Sequence, residues 1–205
     1  MELDDLKGAW AQYDKKLSEN LKFNEDLLRK MNLNNSKREM QKPLIYELTN
    51  ILVLFLLFVY AISASIRLIN EPKFFIPGFI AGLICIIGLI TTIIKANKFA
   101  NIDYYGAPIL KIQKDIAQLN RLVLRFRRYE LGLLPILIIT LLPLLFKSIY
   151  NIDIYQNIKL FTFEIVAILG ISYPVTIWIN KHLYDRKFKN AERLLAELEK
   201  FEKEE

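Results

Sequence analysis

Four long apolar runs alternate with charged segments along the chain. The runs cover residues 48–66, 74–94, 131–146 and 160–180, and Glu164 in the last run is the only charged residue in any of them. A helix rises 1.5 Å per residue, so about 20 apolar residues cross the ~30 Å hydrocarbon core of a bilayer. The pattern therefore predicts four transmembrane helices. The third run is short, and we expect snorkelling at Lys147 to extend it towards Tyr150.

Three charged segments carry apolar residues at alternating spacings of three and four, which is typical of a helical packing seam. The N-terminal stripe is Leu3, Leu6, Trp10, Tyr13 and Leu17. The middle stripe is Ile109, Ile112, Ile116, Leu119, Val123 and Phe126. The C-terminal stripe is Tyr184, Phe188, Ala191, Leu195 and Leu198. A helix buries such a stripe against another surface, so we expect the three to pack together as a coiled-coil-like bundle. Pairing between subunits in a homo-oligomer and lying in the headgroup plane are the alternatives.

The predicted fold is thus all-α, a four-helix transmembrane bundle with a helical bundle beneath it. Its order is N-terminal amphipathic helices (1–43), TM1 (44–69), TM2 (74–95), a coil (107–129), TM3 (130–150), TM4 (159–180) and a C-terminal helix (181–205). Pro43 would fall inside a helix, so we expect a fresh or kinked start there.

Basic residues set the predicted orientation. Of the 28 Lys and Arg residues, 24 lie in the N-terminal, middle and C-terminal charged segments, and the other four are Arg67, Lys73, Lys147 and Lys159. Cytoplasmic segments carry such an excess, so we expect an inner-membrane protein with both termini and the coil in the cytoplasm. The cluster Arg121, Arg125, Arg127 and Arg128 near the third span is predicted to contact lipid headgroups.

Composition narrows the function classes. The net charge of +6 follows from this topology bias, and the basic residues are interleaved with acids, so we expect no direct nucleic-acid binding. One cysteine, Cys85, and one histidine, His182, supply no disulfide framework and no zinc site. No nucleotide, nucleophile-elbow or metalloprotease motif is present. We therefore expect no enzyme activity, catalytic residue, cofactor or metal.

Charged residues inside membrane segments are functional candidates by default. Glu164 lies about one turn inside the fourth run, and Arg67 closes the first run at the same face. We expect an Arg67–Glu164 ion pair there, or two residues that snorkel to the interface, and a small channel or transporter that uses Arg67 and Glu164 is the alternative function. Gly78 and Gly82 form a GxxxG step, which predicts close helix–helix contact.

The first 47 residues carry a resemblance. The opening MELDDLKGAWAQYDKKLSENLKFNEDLLRKMN, followed by KREMQKPLIYE, resembles a group of small Bacteroidetes multi-span membrane proteins that begin with an ELxxLKxxWxxYDxKL-like helix. Members are often encoded beside extracytoplasmic-function sigma factors, so the resemblance implies a membrane-held, anti-sigma-like regulator. Trp10 and Tyr13 are typical anchors of partner surfaces. We expect the N-terminal stripe to bind a cytoplasmic protein such as a sigma factor, although it could equally pack on the coil.

Overall fold

A computed structural model describes the backbone of residues 3–204 and the side chains of Trp10 and residues 13–199. All regular structure in this part of the chain is helical, which confirms the all-α class. The helices are α1 (Leu3–Arg67), α2 (Pro72–Ala100), α3 (Ile109–Leu145), α4 (Ile158–Asn180) and α5 (Arg186–Glu204). π-helical turns extend α3 (Phe146–Tyr150) and join α4 to α5 (Lys181–Asp185), and a 3-10 turn covers Ile154–Gln156.

Four helices are long and apolar enough to cross a membrane, and each contains one of the four apolar runs. The helices divide into two packed regions. The apolar bundle consists of segments 48–66, 74–94, 131–146 and 160–180. The polar bundle consists of segments 33–47, 95–104, 109–126 and 184–198. Helices α1, α2 and α3 each pass from one region into the other, and the π-helical turn joins α4 in the apolar bundle to α5 in the polar bundle. The two bundles therefore share a continuous helical framework.

The N-terminal third of the chain differs from the prediction. Instead of several helices and a break near Pro43, α1 is one helix of 65 residues. At 1.5 Å per residue it extends about 97 Å. A proline inside a helix removes one backbone hydrogen bond and clashes with the preceding turn. Pro43 is fully buried, and α1 packs along α2 and α5 on this stretch, so tertiary packing overrides the local cost.

Small residues bring helices close together in the apolar bundle. A Cβ on Gly78 would lie 2.0 Å from Ser65 Oγ, and a Cβ on Gly82 would lie 2.7 Å from Ile62 Cδ1. These contacts confirm the close approach that the GxxxG step predicts, here between α2 and α1. In contrast, α4 has no buried residue and packs mainly against α3.

The polar bundle has its own apolar core, formed by α3, α5, part of α1 and the end of α2 with the segment that follows it. The middle stripe contributes Ile109, Ile112, Ile116, Leu119 and Val123, all buried, whereas Phe126 is half-buried. All five residues of the C-terminal stripe are buried in the same core. The third partner is α1, but through Leu33 and Met40 rather than through the N-terminal stripe.

The buried face of α1 also follows the alternating spacing. Its members are Leu33, Ser36, Met40, Pro43 and Glu47, all buried. Ser36, Pro43 and Glu47 are not typical core residues. A search for periodic apolar residues therefore does not detect this buried face. This face ends at Glu47, the last residue before the first apolar run.

Candidate functional site at the junction of the two bundles

Three charged side chains, Glu47, Lys95 and Glu130, meet where the polar bundle joins the apolar bundle. Together with Tyr184 we call them the charge cluster. Lys95 Nζ lies 2.8 Å from Glu47 Oε1 and 2.8 Å from Glu130 Oε1. The side chains of Lys95 and Glu47 are only 3% and 0% exposed, whereas that of Glu130 is 36% exposed. Ions in an enclosed site are stable only when they are paired and hydrogen-bonded. The positions of α1, α2 and α3 are therefore coupled through one lysine.

Tyr184 completes the cluster from the turn between α4 and α5. Its hydroxyl donates a hydrogen bond of 2.5 Å to Glu47 Oε1. The ring of Tyr46 packs edge-on against that of Tyr184, with centroids 5.8 Å apart. Burial, with a smaller contribution from the adjacent Glu47 carboxyl, raises the pKa of Tyr184, so the hydroxyl keeps its proton and remains a donor.

Each apolar run has one member of this charge cluster at its end. Glu47 precedes the first run, Lys95 follows the second, Glu130 precedes the third and Tyr184 lies four residues after the fourth. The next polar contact lies one turn further into the apolar bundle, where the Asn50 side chain donates to Thr92 Oγ1 at 3.4 Å. The arrangement fixes the four candidate spans relative to one another at a single level.

The second candidate site is the part of α1 that leaves the polar bundle. We call residues 3–31 the N-terminal arm. Of the predicted partner-binding residues, Trp10 is 73%, Tyr13 72% and Leu17 48% exposed. The side chains of Leu3 and Leu6 lie outside the described residues. Further apolar residues of the arm are exposed as well: Leu21, Phe23, Leu27, Leu28 and Met31.

Helical geometry explains why the N-terminal stripe does not pack on the coil. At 100° per residue, the stripe through Trp10, Tyr13 and Leu17 is rotated by about a third of a turn from the buried face of α1. The buried face points at α3 and α5, so the stripe points elsewhere. Because α1 is continuous, the arm cannot turn its stripe inwards without breaking the helix. Within one chain, the described residues of this stripe, Trp10, Tyr13 and Leu17, therefore do not join the core that the middle and C-terminal stripes share.

The expected intramembrane ion pair does not form. Among the described side chains, no salt bridge joins Arg67 to Glu164. Glu164 Oε2 is buried without a hydrogen-bond partner. The reason is the position of α4, which packs mainly on α3 and not on α1, where Arg67 lies.

The four arginines predicted to contact headgroups differ in exposure, since Arg127 is largely covered and the other three are exposed. Arg127 forms a two-pronged ion pair with Asp185, with Nη2 2.5 Å from Oδ1 and Nη1 3.2 Å from Oδ2. Its side chain is largely covered and not free for headgroups, which corrects the prediction for this residue. Arg121, Arg125 and Arg128 are exposed, so their assignment to headgroups remains a prediction.

The charge cluster itself was missed from the sequence. Glu47, Lys95 and Glu130 each lie next to an apolar run, and a position beside a run does not by itself mark a residue as a partner of another. One signal was available, because each of the first three runs ends on the same side with a charged residue. The pairing of those charges depends on helix rotation, which run boundaries do not specify.

Comparisons of this chain with protein-family models, with curated proteins and with solved structures found no match.

Proposed function

We propose that this chain is a non-enzymatic inner-membrane protein that presents a helical docking arm to a cytoplasmic protein. The observation that carries the proposal is the exposure of Trp10 and Tyr13 on a helix that is continuous with a candidate span. Large aromatic residues are the commonest anchors of protein interfaces. The cluster of Glu47, Lys95, Glu130 and Tyr184 at the ends of the four apolar runs supplies the rigid base.

The partner we propose is a sigma factor, which the arm would sequester at the membrane. The resemblance of the first 47 residues to proteins encoded beside such factors supports this partner. The spacing of the exposed stripe supports recognition of a helical surface, in the manner of an amphipathic helix that binds a groove. The alternative function, a small channel or transporter, would use Arg67 and Glu164, which form no salt bridge with each other among the described side chains.

The cytoplasmic location of the arm is part of the proposal. It is supported by the excess of Lys and Arg in the three charged segments. Single cysteines at Ser18 and Ser148 test it, since both positions are exposed and Cys85 is fully buried. A membrane-impermeant maleimide added to intact spheroplasts should label the cysteine at Ser148 alone. Labelling at Ser18 would contradict the orientation.

Co-purification tests the docking function. Each sigma factor encoded in the same genome is produced with an affinity tag together with the full-length membrane protein. We expect one of them to retain the wild-type chain and to lose the Trp10→Ala/Tyr13→Ala variant. The matched control is Lys15→Ala/Glu19→Ala, which changes the opposite face of the arm and should leave binding unchanged. Retention of the aromatic variant, or binding to none of the factors, would refute the proposal.

A further inference from the structure

The carboxyl group of Glu47 is enclosed and only half satisfied. Its Oε1 accepts hydrogen bonds from Lys95 Nζ at 2.8 Å and from Tyr184 Oη at 2.5 Å. Its Oε2 is buried and has no hydrogen-bond partner. An ionised carboxylate spreads its charge over both oxygens, so one unpaired oxygen in an enclosed site strongly disfavours the ion.

The charge balance of the cluster leads to the same conclusion. The groups that face Glu47 are Lys95 from α2, Glu130 from α3, Tyr184 from the turn after α4, and the neighbouring Tyr46. With both acids ionised, one lysine faces two carboxylates and the enclosed cluster carries a net charge of about −1 at neutral pH. Like charges that share a site disfavour double ionisation.

Glu47 and Glu130 are not equivalent places for a proton. Glu130 is 36% exposed, so water stabilises its charge, whereas Glu47 is 0% exposed. A proton on Glu47 Oε2 brings the cluster to neutrality. It also leaves Oε1 free to accept both existing hydrogen bonds, and it keeps the Lys95–Glu130 ion pair.

We propose that the charge cluster is a proton-binding site, in which Oε2 of Glu47 holds one proton at neutral pH while Lys95 and Glu130 remain ionised. The proton comes from the aqueous phase on the side of the polar bundle, and Glu130, at 36%, is the more exposed of the two acids of the cluster. Loss of the proton leaves an uncompensated negative charge between α1, α2 and α3, where three of the apolar runs end, and loosens the junction. A change in pH therefore changes how tightly the spans pack at this junction.

Infrared spectroscopy of the full-length protein in phosphatidylcholine nanodiscs tests the proposal. A protonated carboxyl group absorbs apart from an ionised carboxylate. At neutral pH, we expect the wild-type spectrum to contain a carboxylic-acid band that Glu47→Gln removes. Glu130→Gln should weaken the same band, because Lys95 then faces Glu47 as its one remaining acid and the charge balance favours the ionised form. Glu164→Gln is measured in parallel, because Glu164 Oε2 is also buried without a partner and could add to the band. If Glu47→Gln removes carboxylate absorption and leaves the carboxylic-acid band of the wild type unchanged, the proposal is overturned.

Thermal unfolding gives a second, independent readout. Because glutamine resembles a protonated glutamate, Glu47→Gln should leave the Tm at pH 7 within a few degrees of the wild type. Glu130→Gln should lower it clearly more, since Lys95 would then depend on the enclosed Glu47 as its counter-ion, and Oε2 of that carboxylate has no hydrogen-bond partner. A Glu47→Gln variant that fails to fold, or that lowers the Tm more than Glu130→Gln does, would contradict a protonated Glu47.

Discussion

The hydroxyl of Tyr184 donates a hydrogen bond to Glu47 Oε1, although 137 residues separate the two along the chain. This bond joins the start of the first apolar run to the turn that follows the fourth. A neutral hydrogen bond contributes about 1 kcal/mol to stability. It shows that the start of the first apolar run and the end of the fourth meet at one buried polar site.

Removal of the Tyr184 hydroxyl tests that bond. We expect Tyr184→Phe to lower the free energy of unfolding by about 1 kcal/mol, because Glu47 loses a donor that water cannot replace. Tyr46→Phe is the matched control, since the Tyr46 ring contacts the same site without donating to Glu47. Unfolding by SDS in mixed micelles measures both variants. Equal effects of the two substitutions would show that the bond contributes nothing specific.

Truncation of Ile116 tests the core of the polar bundle. Ile116 is 0% exposed, and Leu110 on the same helix is 64% exposed. We expect Ile116→Ala to cost about 2–5 kcal/mol through lost contacts and a cavity. Leu110→Ala should stay within about 0.5 kcal/mol of the wild type. If both variants unfold alike, the coil does not bury the stripe that the structure assigns to it.

Packing between α1 and α2 is tested at Gly78. A methyl group there would meet Ser65 Oγ at 2.0 Å and Leu144 Cδ1 at 2.9 Å. Overpacking of this kind costs roughly 1–3 kcal/mol, so Gly78→Ala should be destabilised. Gly132→Ala is the control, because nothing lies within 4 Å of its added Cβ and alanine favours the helix. A neutral Gly78→Ala would contradict the close approach of the helices.

The ion pair between α1 and α5 predicts a pH dependence. Lys187 Nζ lies 2.8 Å from Glu39 Oε2. Burial alone would raise the pKa of Glu39, but hydrogen bonds from Lys187 and Asn190 outweigh it and hold this pKa below its ordinary value of 4.5. A carboxyl group with a lowered pKa stabilises the fold above its unfolded-state pKa, and this contribution is lost as pH falls through the folded-state pKa.

Wild type and Glu39→Gln should therefore differ in Tm at pH 7 and converge as the pH falls below about 4.5. Glu197→Gln is the comparison, because its pair with Arg193 is exposed and 3.8 Å long. That variant should follow the wild type at every pH. A Glu39→Gln difference that grows on acidification would show that the pair does not stabilise the bundle.

Strong periodic patterns in the sequence were sufficient to predict much of the fold. The four apolar runs all appear as helices long enough to cross a membrane, since run length and charge decide this directly. The all-α class follows from the same patterns. In the core of the polar bundle, Ile112 and Leu195 lie where the alternating spacing places them.

The sequence was insufficient where polar residues occupy buried positions. Ser36, Pro43 and Glu47 complete the inward face of α1, and none of the three counts as apolar in a periodicity search. The buried face was therefore overlooked, and the N-terminal stripe was given its place in the bundle. Lys95 was missed for a related reason, because pairing of run ends depends on the rotation of each helix.

The central claim is that the N-terminal arm docks a cytoplasmic protein through the face that contains Trp10. Site-specific photo-crosslinking in living cells tests it most directly, with benzoylphenylalanine placed at Trp10 or, as the control, at Glu19 on the opposite face. We predict a crosslink from position 10, and not from position 19, to a polypeptide that mass spectrometry identifies as a sigma factor. Crosslinks from position 10 only to lipid or to a second copy of this chain, or equal crosslinks from both positions, would contradict the account.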